Sequence, residues 1–160
     1  MRESSAPRSA SKISSIDSLA NGRGESFRDE RCALARAPQF TLAGLAGRDA
    51  SGTRQPVHVH AKLMIVDDVW ATAGSCNLHR YSLYGNSELN IAFADSVAVR
   101  ALRSELLAEH LGQDTSALDG RSALRLLRTV AEQNADRQDG GNPDWEGIVR
   151  ALDPLQWWRP

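Results

Sequence analysis

The fold of this chain is decided by residues 57–77, whose sequence is VHVHAKLMIVDDVWATAGSCN. Residues 57–66 are mostly apolar and β-branched, a composition that predicts a strand. Two aspartates at 67–68 interrupt the run, and residues 69–73 resume an extended pattern. We therefore predict a β-hairpin whose second strand ends near Gly74.

Four side chains at the open end of this hairpin are suited to hold a phosphate. Side chains alternate along a strand, so His60 and Lys62 are predicted to lie on one face. The antiparallel return of the chain brings Ser75 and Asn77 back toward them. Lys62 offers a positive charge to a phosphate oxygen, and the other two side chains offer hydrogen bonds. The pattern indicates a phosphodiester site.

His60 is the candidate nucleophile of this site. A histidine side chain is partly neutral near neutral pH, so it can attack phosphorus and form a covalent phosphohistidine. Glu88, at the head of another predicted strand, is the candidate acceptor that holds the imidazole in one tautomer. This chemistry requires no metal, and the sequence predicts neither a metal nor another cofactor.

The spacing H-x-K-x4-D-x6-G-S-x-N over residues 60–77 resembles the HKD signature of the phospholipase D superfamily. The resemblance extends over residues 39–112 and includes a helix similar to the one after the second HKD motif of bacterial phospholipases D. The implied site residues form three groups: the catalytic His60, Lys62 and Asp67; the phosphate-binding Lys62, Ser75 and Asn77; and the orienting Glu88. Because Asp67 lies at the predicted hairpin turn, a structural role is favoured for it.

The resemblance also implies an α/β fold. We expect part of a phospholipase D-like α-β-α sandwich, a half-domain with a mixed sheet and a helical C-terminal tail. The predicted segments are a disordered Ser/Arg-rich segment at 1–38, the HKD half-domain at 39–112 and the helical tail at 113–160. Within them we predict a helix from Asp95 or Ser96 to Gly112, and the pattern after it predicts a second helix over 122–134.

The sequence contains one copy of the HKD motif. A full phospholipase D carries two HKD motifs, and one histidine attacks while the other protonates the leaving oxygen. We expect phospholipase D-type hydrolysis or transphosphatidylation of phospholipids through a phosphohistidine, in a truncated C-terminal half of a larger enzyme. The alternatives are a homodimeric one-motif endonuclease or phosphodiesterase, and an inactive remnant that keeps the phosphate pocket. The expected protein partner is accordingly a second copy or a missing N-terminal HKD half.

The composition of the chain restricts which binding partners and which cellular compartment we expect. A net charge of −1 and a pI near 6.4 give no overall basic field, which disfavours nucleic acid. No apolar run approaches the ~20 residues that span a bilayer, and residue 1 does not lead into an apolar signal-peptide core. We expect a cytoplasmic protein or one in peripheral contact with membranes. A zinc site built from His58, His60, Cys76 and His79 is disfavoured, because the sequence has neither a CxxC pair nor a helical HExxH motif.

Overall fold

The computed structural model describes residues 32–78, 80–142 and 144–156. Most of the segment that we predicted to be disordered lies outside these residues. The part of it that is described begins with a helical stretch at 32–36.

The described residues contain six strands and, besides this helical stretch, three helices. The strands are β1 (Ala43–Arg48), β2 (Arg54–Val57), β3 (Lys62–Val66), β4 (Trp70–Gly74), β5 (Asn90–Phe93) and β6 (Val149–Ala151). The helices are α1 (Arg80–Tyr84), α2 (Ser96–Leu111) and α3 (Gly120–Asp139). The predicted α/β class is confirmed.

The strands form two small sheets, with the orders β2-β1-β6 and β3-β4-β5. Every strand pair among the described residues is antiparallel. We predicted one mixed sheet, and the described residues form two antiparallel sheets in its place. The pairs β1–β2 and β3–β4 are joined by the short connections 49–53 and 67–69, and connections this short favour antiparallel pairing.

The strand that we predicted over 57–66 is broken in the structure. Its first residue ends β2, which pairs with β1, whereas Lys62 begins β3, which pairs with β4. Residues 58–61 therefore connect one sheet to the other, and His60 lies in this connection rather than in a strand. The strand is interrupted because the residues before 58 pair with β1 and the residues after 61 pair with β4, in different sheets.

The predicted hairpin is confirmed. β3 and β4 pair with Lys62 opposite Gly74. Asp67 and Asp68 form the turn with φ values of 51° and 57°, a left-handed conformation that aspartate tolerates better than most residues. The backbone N–H of the residue after them donates to the carbonyl of Val66 at 3.1 Å and closes the turn.

The two long helices begin at aspartate caps. The Asp95 carboxylate accepts hydrogen bonds from two backbone N–H groups in the first turn of α2, and Gly112 ends that helix with a φ of 68°. Both ends agree with the prediction. The carboxylate of Asp119 caps α3 in the same way, and α3 is longer at both ends than the predicted 122–134.

The core lies where α2 and α3 pack on the first sheet. Its buried members are Leu107, Leu111, Ala123, Val130, Ala131 and Val149. β6, which comes from the segment predicted to be a helical tail, pairs with β1. Asn134 of α3 is fully buried and donates to the carbonyls of Glu146 and Val149, so it fixes the segment that leads into β6.

A nearly buried ion pair joins the second sheet to α2. Nε of Arg103 donates to Oδ1 of Asp68 at 2.7 Å, and the two side chains are only 7% and 20% exposed. Nη2 of Arg103 also donates to the carbonyl of Leu118 at 3.0 Å. The hairpin turn is thereby held against the helix and against the loop before α3.

Candidate functional site

The candidate site is formed at the end of the hairpin opposite the turn. Nζ of Lys62, the first residue of β3, donates to the carbonyl of His60 at 2.7 Å. The ring of His60 is exposed and lies beside that of His58, with the ring centres 6.2 Å apart and the planes 26° from parallel. The lysine therefore fixes the backbone that carries the candidate nucleophile, and the imidazole is open to a ligand.

Ser75 follows β4 and is bound on both sides to the residues before β5. Its backbone N–H donates to the carbonyl of Leu89 at 3.0 Å. In return, the N–H of Leu89 donates to Oγ of Ser75 at 3.0 Å. One residue further, the N–H of Cys76 donates to Oδ1 of Asn90 at 3.0 Å. Three hydrogen bonds thus hold the loop after β4 against the start of β5.

Gly74 makes this close approach feasible. Asn90 lies opposite it in the β4–β5 pair. A Cβ atom at Gly74 would overlap the carbonyl oxygen of Leu89 and Oδ1 of Asn90, and would lie 2.6 Å from the Cα of Asn90. Because two of these three atoms belong to the backbone, no side-chain rotation relieves the overlap. The glycine therefore sets the spacing of the two strands at the site.

Glu88 precedes the residues that hold the loop after β4, and it interacts with Ser75 and Lys62. Hydrogen bonds from the hydroxyl of Ser75 and then from that of Ser82 lower the pKa of its carboxyl group most. The side chain of Asn86 and the positive charge of Lys62 lower that pKa further, and partial burial opposes them. The carboxylate is accordingly held in its charged form beside the lysine.

The predicted site residues separate into two groups. His60, Lys62, Ser75 and Glu88 meet at one end of the hairpin. Asp67 lies in the turn, five residues along the chain from the lysine and roughly 16 Å away at the rise of a strand. Among the described residues, two serines, an asparagine and the lysine lower the pKa of the glutamate. His60, whose contact with the glutamate we predicted, is not one of them.

Cys76 and Asn77 lie in the loop after β4. Asn77 is exposed, and its carbonyl accepts a hydrogen bond from the thiol of Cys76 at 3.5 Å. Cys32 and Cys76 are both free thiols. Within the described ranges no group of three or more His, Cys, Asp and Glu side chains is arranged to hold a metal ion. His79, one member of the zinc alternative, lies outside those ranges.

Three contributors to the site were missed by sequence reasoning. Asn90 could have been suspected, because it is a polar residue at the start of a strand. Ser82 and Asn86 gave no signal, because their relation to Glu88 depends on how the chain turns after α1.

None of the helices in the described residues is long and apolar enough to cross a membrane.

Comparison with known proteins gives consistent matches. Residues 33–109 match the family model described as cardiolipin synthase, PLD-like domain. Phospholipase D alpha 4 of Arabidopsis thaliana is 35% identical over 91 residues, which cover 48% of this chain and 12% of that protein. Phospholipase D1 of Schizosaccharomyces pombe is 34% identical over 101 residues, which cover 51% of this chain and 7% of that protein.

A third relative extends the matched region slightly. Phospholipase D alpha 1 of Spuriopimpinella brachycarpa is 33% identical over 104 residues, which cover 56% of this chain. The chain spans 13% of the length of that relative and less of the other two. The family model covers the hairpin, the loop after β4, β5 and most of α2. These matches, together with the hairpin, show that residues 33–109 carry a domain similar to those of the phospholipase D superfamily.

Proposed function

We propose that this chain supplies one half of a phospholipase D-type active site that hydrolyses the phosphodiester bond of a phospholipid. The observation that carries the proposal is the convergence of Lys62, Ser75 and the Glu88 carboxylate beside His60. A fixed cation next to an exposed imidazole can bind a phosphate and present a nucleophile to it. Similarity to the phospholipases D named above favours a phospholipid as the substrate.

The proposed reaction consists of two displacements at phosphorus. In the first, a ring nitrogen of His60 bonds to phosphorus, the bond to the leaving oxygen breaks, and a general acid protonates that oxygen. In the second, water attacks the phosphohistidine, the P–N bond breaks, and the same group takes the proton of the water. A primary alcohol in place of water gives transphosphatidylation.

Each remaining site residue has a proposed part in these steps. Lys62, Ser75 and Asn77 contact the non-bridging oxygens, where the negative charge of the substrate resides. Glu88 is the proposed acceptor that orients His60, because its carboxylate senses the charge of Lys62 at the same end of the hairpin. Asp67 is proposed to act through the turn rather than on the phosphate, in keeping with its position at the far end of the hairpin.

The general acid is proposed to come from a second HKD motif, in another copy of this chain or in a further polypeptide segment. The sequence contains one such motif. Exposed apolar side chains next to the site support an interaction there, since Leu89 and Ile91 are 74% and 67% exposed. Clustered apolar surface of this kind marks contacts with proteins or membranes.

Hydrolysis of two substrates tests the proposal. The purified chain is offered phosphatidylcholine vesicles and plasmid DNA, and its mass in solution is measured by light scattering. From a dimer of the chain, which contains two HKD motifs, we expect release of choline, loss of that release in His60→Ala, and retention of it in His58→Ala, which removes the neighbouring histidine instead.

Three outcomes would contradict the proposal. A dimer that cleaves no phosphodiester would contradict it, because two copies of the chain bring two HKD motifs together. Cleavage of DNA without cleavage of the phospholipid would favour the dimeric endonuclease. Full activity of His60→Ala would remove this histidine from the mechanism.

A further inference from the structure

The side chain of Asn90 makes two hydrogen bonds along the end of β4. Its Oδ1 accepts from the backbone N–H of Cys76 at 3.0 Å, and its Nδ2 donates to Oγ1 of Thr72 at 3.5 Å. Gly74, which lies opposite Asn90 in the β4–β5 pair, is the residue midway between these two partners. The carboxamide therefore joins the strand to the loop that follows it.

The absence of a side chain at Gly74 leaves room for this carboxamide. A Cβ atom at position 74 would overlap Oδ1 of Asn90, so the oxygen occupies the space next to the glycine. Any side chain at that position would displace the oxygen from the N–H of Cys76. The glycine and the asparagine are thus complementary in shape.

Asn90 and Lys62 lie on the same face of the second sheet. Lys62 is opposite Gly74 in the β3–β4 pair, and Gly74 is in turn opposite Asn90. Residues that are paired across neighbouring strands direct their side chains to the same face. The carboxamide therefore lies on the side of the sheet that carries the lysine, at the same end of the hairpin.

The bond from Cys76 to Asn90 determines how far the loop after β4 is held. The N–H and the Oγ of Ser75 are both bonded to the backbone of Leu89. The N–H of Cys76 comes next along the chain, and its bond to Asn90 extends the attachment to the residue immediately before Asn77. Without this bond, the last backbone N–H of the loop bonded to the start of β5 would be that of Ser75.

We propose that Asn90 is a positioning residue for phosphate binding, whose carboxamide holds the loop after β4 so that Asn77 donates to a phosphate oxygen on the face that carries Lys62. The inference deepens the proposed function and rests on its assignment of Asn77 to the phosphate. Asn90 acts through the backbone of the loop, since its Oδ1 is taken up by the N–H of Cys76.

Binding of inorganic phosphate to the full chain tests the inference without requiring turnover. The dissociation constant is measured by NMR from the shift of the Asn77 side-chain amide, in wild type and in Asn90→Ala. We expect Asn90→Ala to bind phosphate about five- to tenfold more weakly, the effect of one lost hydrogen bond. The matched control is Asn142→Ala, which should leave phosphate binding unchanged. Oδ1 of Asn142 also accepts a loop N–H, that of Asp144 at 2.9 Å, but between α3 and β6.

A second variant tests the bond itself in the absence of any ligand. Asn90→Asp keeps an acceptor oxygen and makes its strength depend on pH, because a charged acceptor forms the stronger hydrogen bond. We expect the amide proton shift of Cys76 to follow the titration of the introduced carboxyl group. In Asn142→Asp, which introduces the same group in the other loop, the shift of Cys76 should stay constant.

The outcomes separate the inference from the proposed function. Phosphate binding that is equally strong in wild type and Asn90→Ala would overturn the inference, and so would a Cys76 amide that does not respond to the carboxyl group in Asn90→Asp. If Asn90→Ala does not fold, the Asn90→Asp titration decides the matter.

Activity adds the remaining distinction. A dimer that binds phosphate, binds it more weakly in Asn90→Ala and still cleaves no phosphodiester would contradict the proposed hydrolysis and support the positioning role. A wild-type chain that binds no phosphate would contradict both.

Discussion

Replacement of Gly74 by alanine should damage the site through the backbone rather than through any catalytic group. The new Cβ would lie 2.6 Å from the Cα of Asn90 and would overlap the carbonyl oxygen of Leu89. Carbon atoms pack at about 3.5–4.0 Å, so β5 would have to move away from β4 by about 1 Å. That movement would stretch the bonds from Ser75 and Cys76 to the start of β5.

The expected loss of stability follows from two terms. Forcing an extra carbon into a packed position costs about 1–3 kcal/mol, and loss of one hydrogen bond between the strands costs about 1 kcal/mol. We therefore expect Gly74→Ala to lower the free energy of unfolding by about 2–4 kcal/mol. Urea unfolding followed by far-UV circular dichroism measures this difference on the full chain.

Gly47→Ala is the matched control. Gly47 also lies within a strand, but a Cβ there would meet only a methyl carbon of Val57 at 3.7 Å, an ordinary contact. Glycine within a strand is less stable than alanine by about 0.5–1 kcal/mol, so this variant should be as stable as wild type or slightly more stable. If Gly74→Ala is no less stable than Gly47→Ala, the reasoning about the strand spacing is refuted.

Asp68→Asn leaves the buried Arg103 guanidinium without its counter-charge and should lower the free energy of unfolding by about 3 kcal/mol. Asp67→Asn, at the exposed position beside it, should change it by less than about 0.5 kcal/mol, and equal losses in urea unfolding would contradict the ion pair. Asn134→Ala leaves the buried carbonyl oxygen of Val149 and the partly buried one of Glu146 without this donor, and a loss below about 1 kcal/mol in that assay would be inconsistent with its contacts. The lowered pKa of Glu88 stabilises the fold above its unfolded pKa, and this is lost as pH falls through its folded pKa. Glu88→Gln should therefore flatten the acid side of the stability curve, and an unaltered slope would argue against the carboxylate contacts.

The parts of the fold that sequence predicted are those determined locally. The apolar, β-branched run and the Asp67–Asp68 pair predicted the β3–β4 hairpin, and Asp95 and Gly112 marked the ends of α2. Each of these signals acts within a few residues of the structure that it specifies. The hairpin alone brought Lys62 and Ser75 together, which explains why half of the candidate site could be predicted.

The remaining features depend on which elements pair and pack together, and the local sequence does not specify this. The break at 58–61 arises because β2 and β3 pair in different sheets, which the apolar run itself does not reveal. Asp67 and Asp68 are chemically identical, and only the position of Arg103 makes the second one part of an ion pair. The carbonyl of Ser82 in α1 accepts a hydrogen bond from the thiol of Cys76 in the loop after β4, and no spacing rule predicts that contact.

The most direct test of the account is to identify the residue that becomes covalently bound to substrate. The chain is incubated with phosphatidylcholine, the reaction is quenched at alkaline pH, and its peptides are mapped by mass spectrometry. The account predicts a phosphatidyl group on His60, present in His58→Ala and absent in His60→Ala. Turnover without any adduct, or an adduct that persists in His60→Ala, would contradict it.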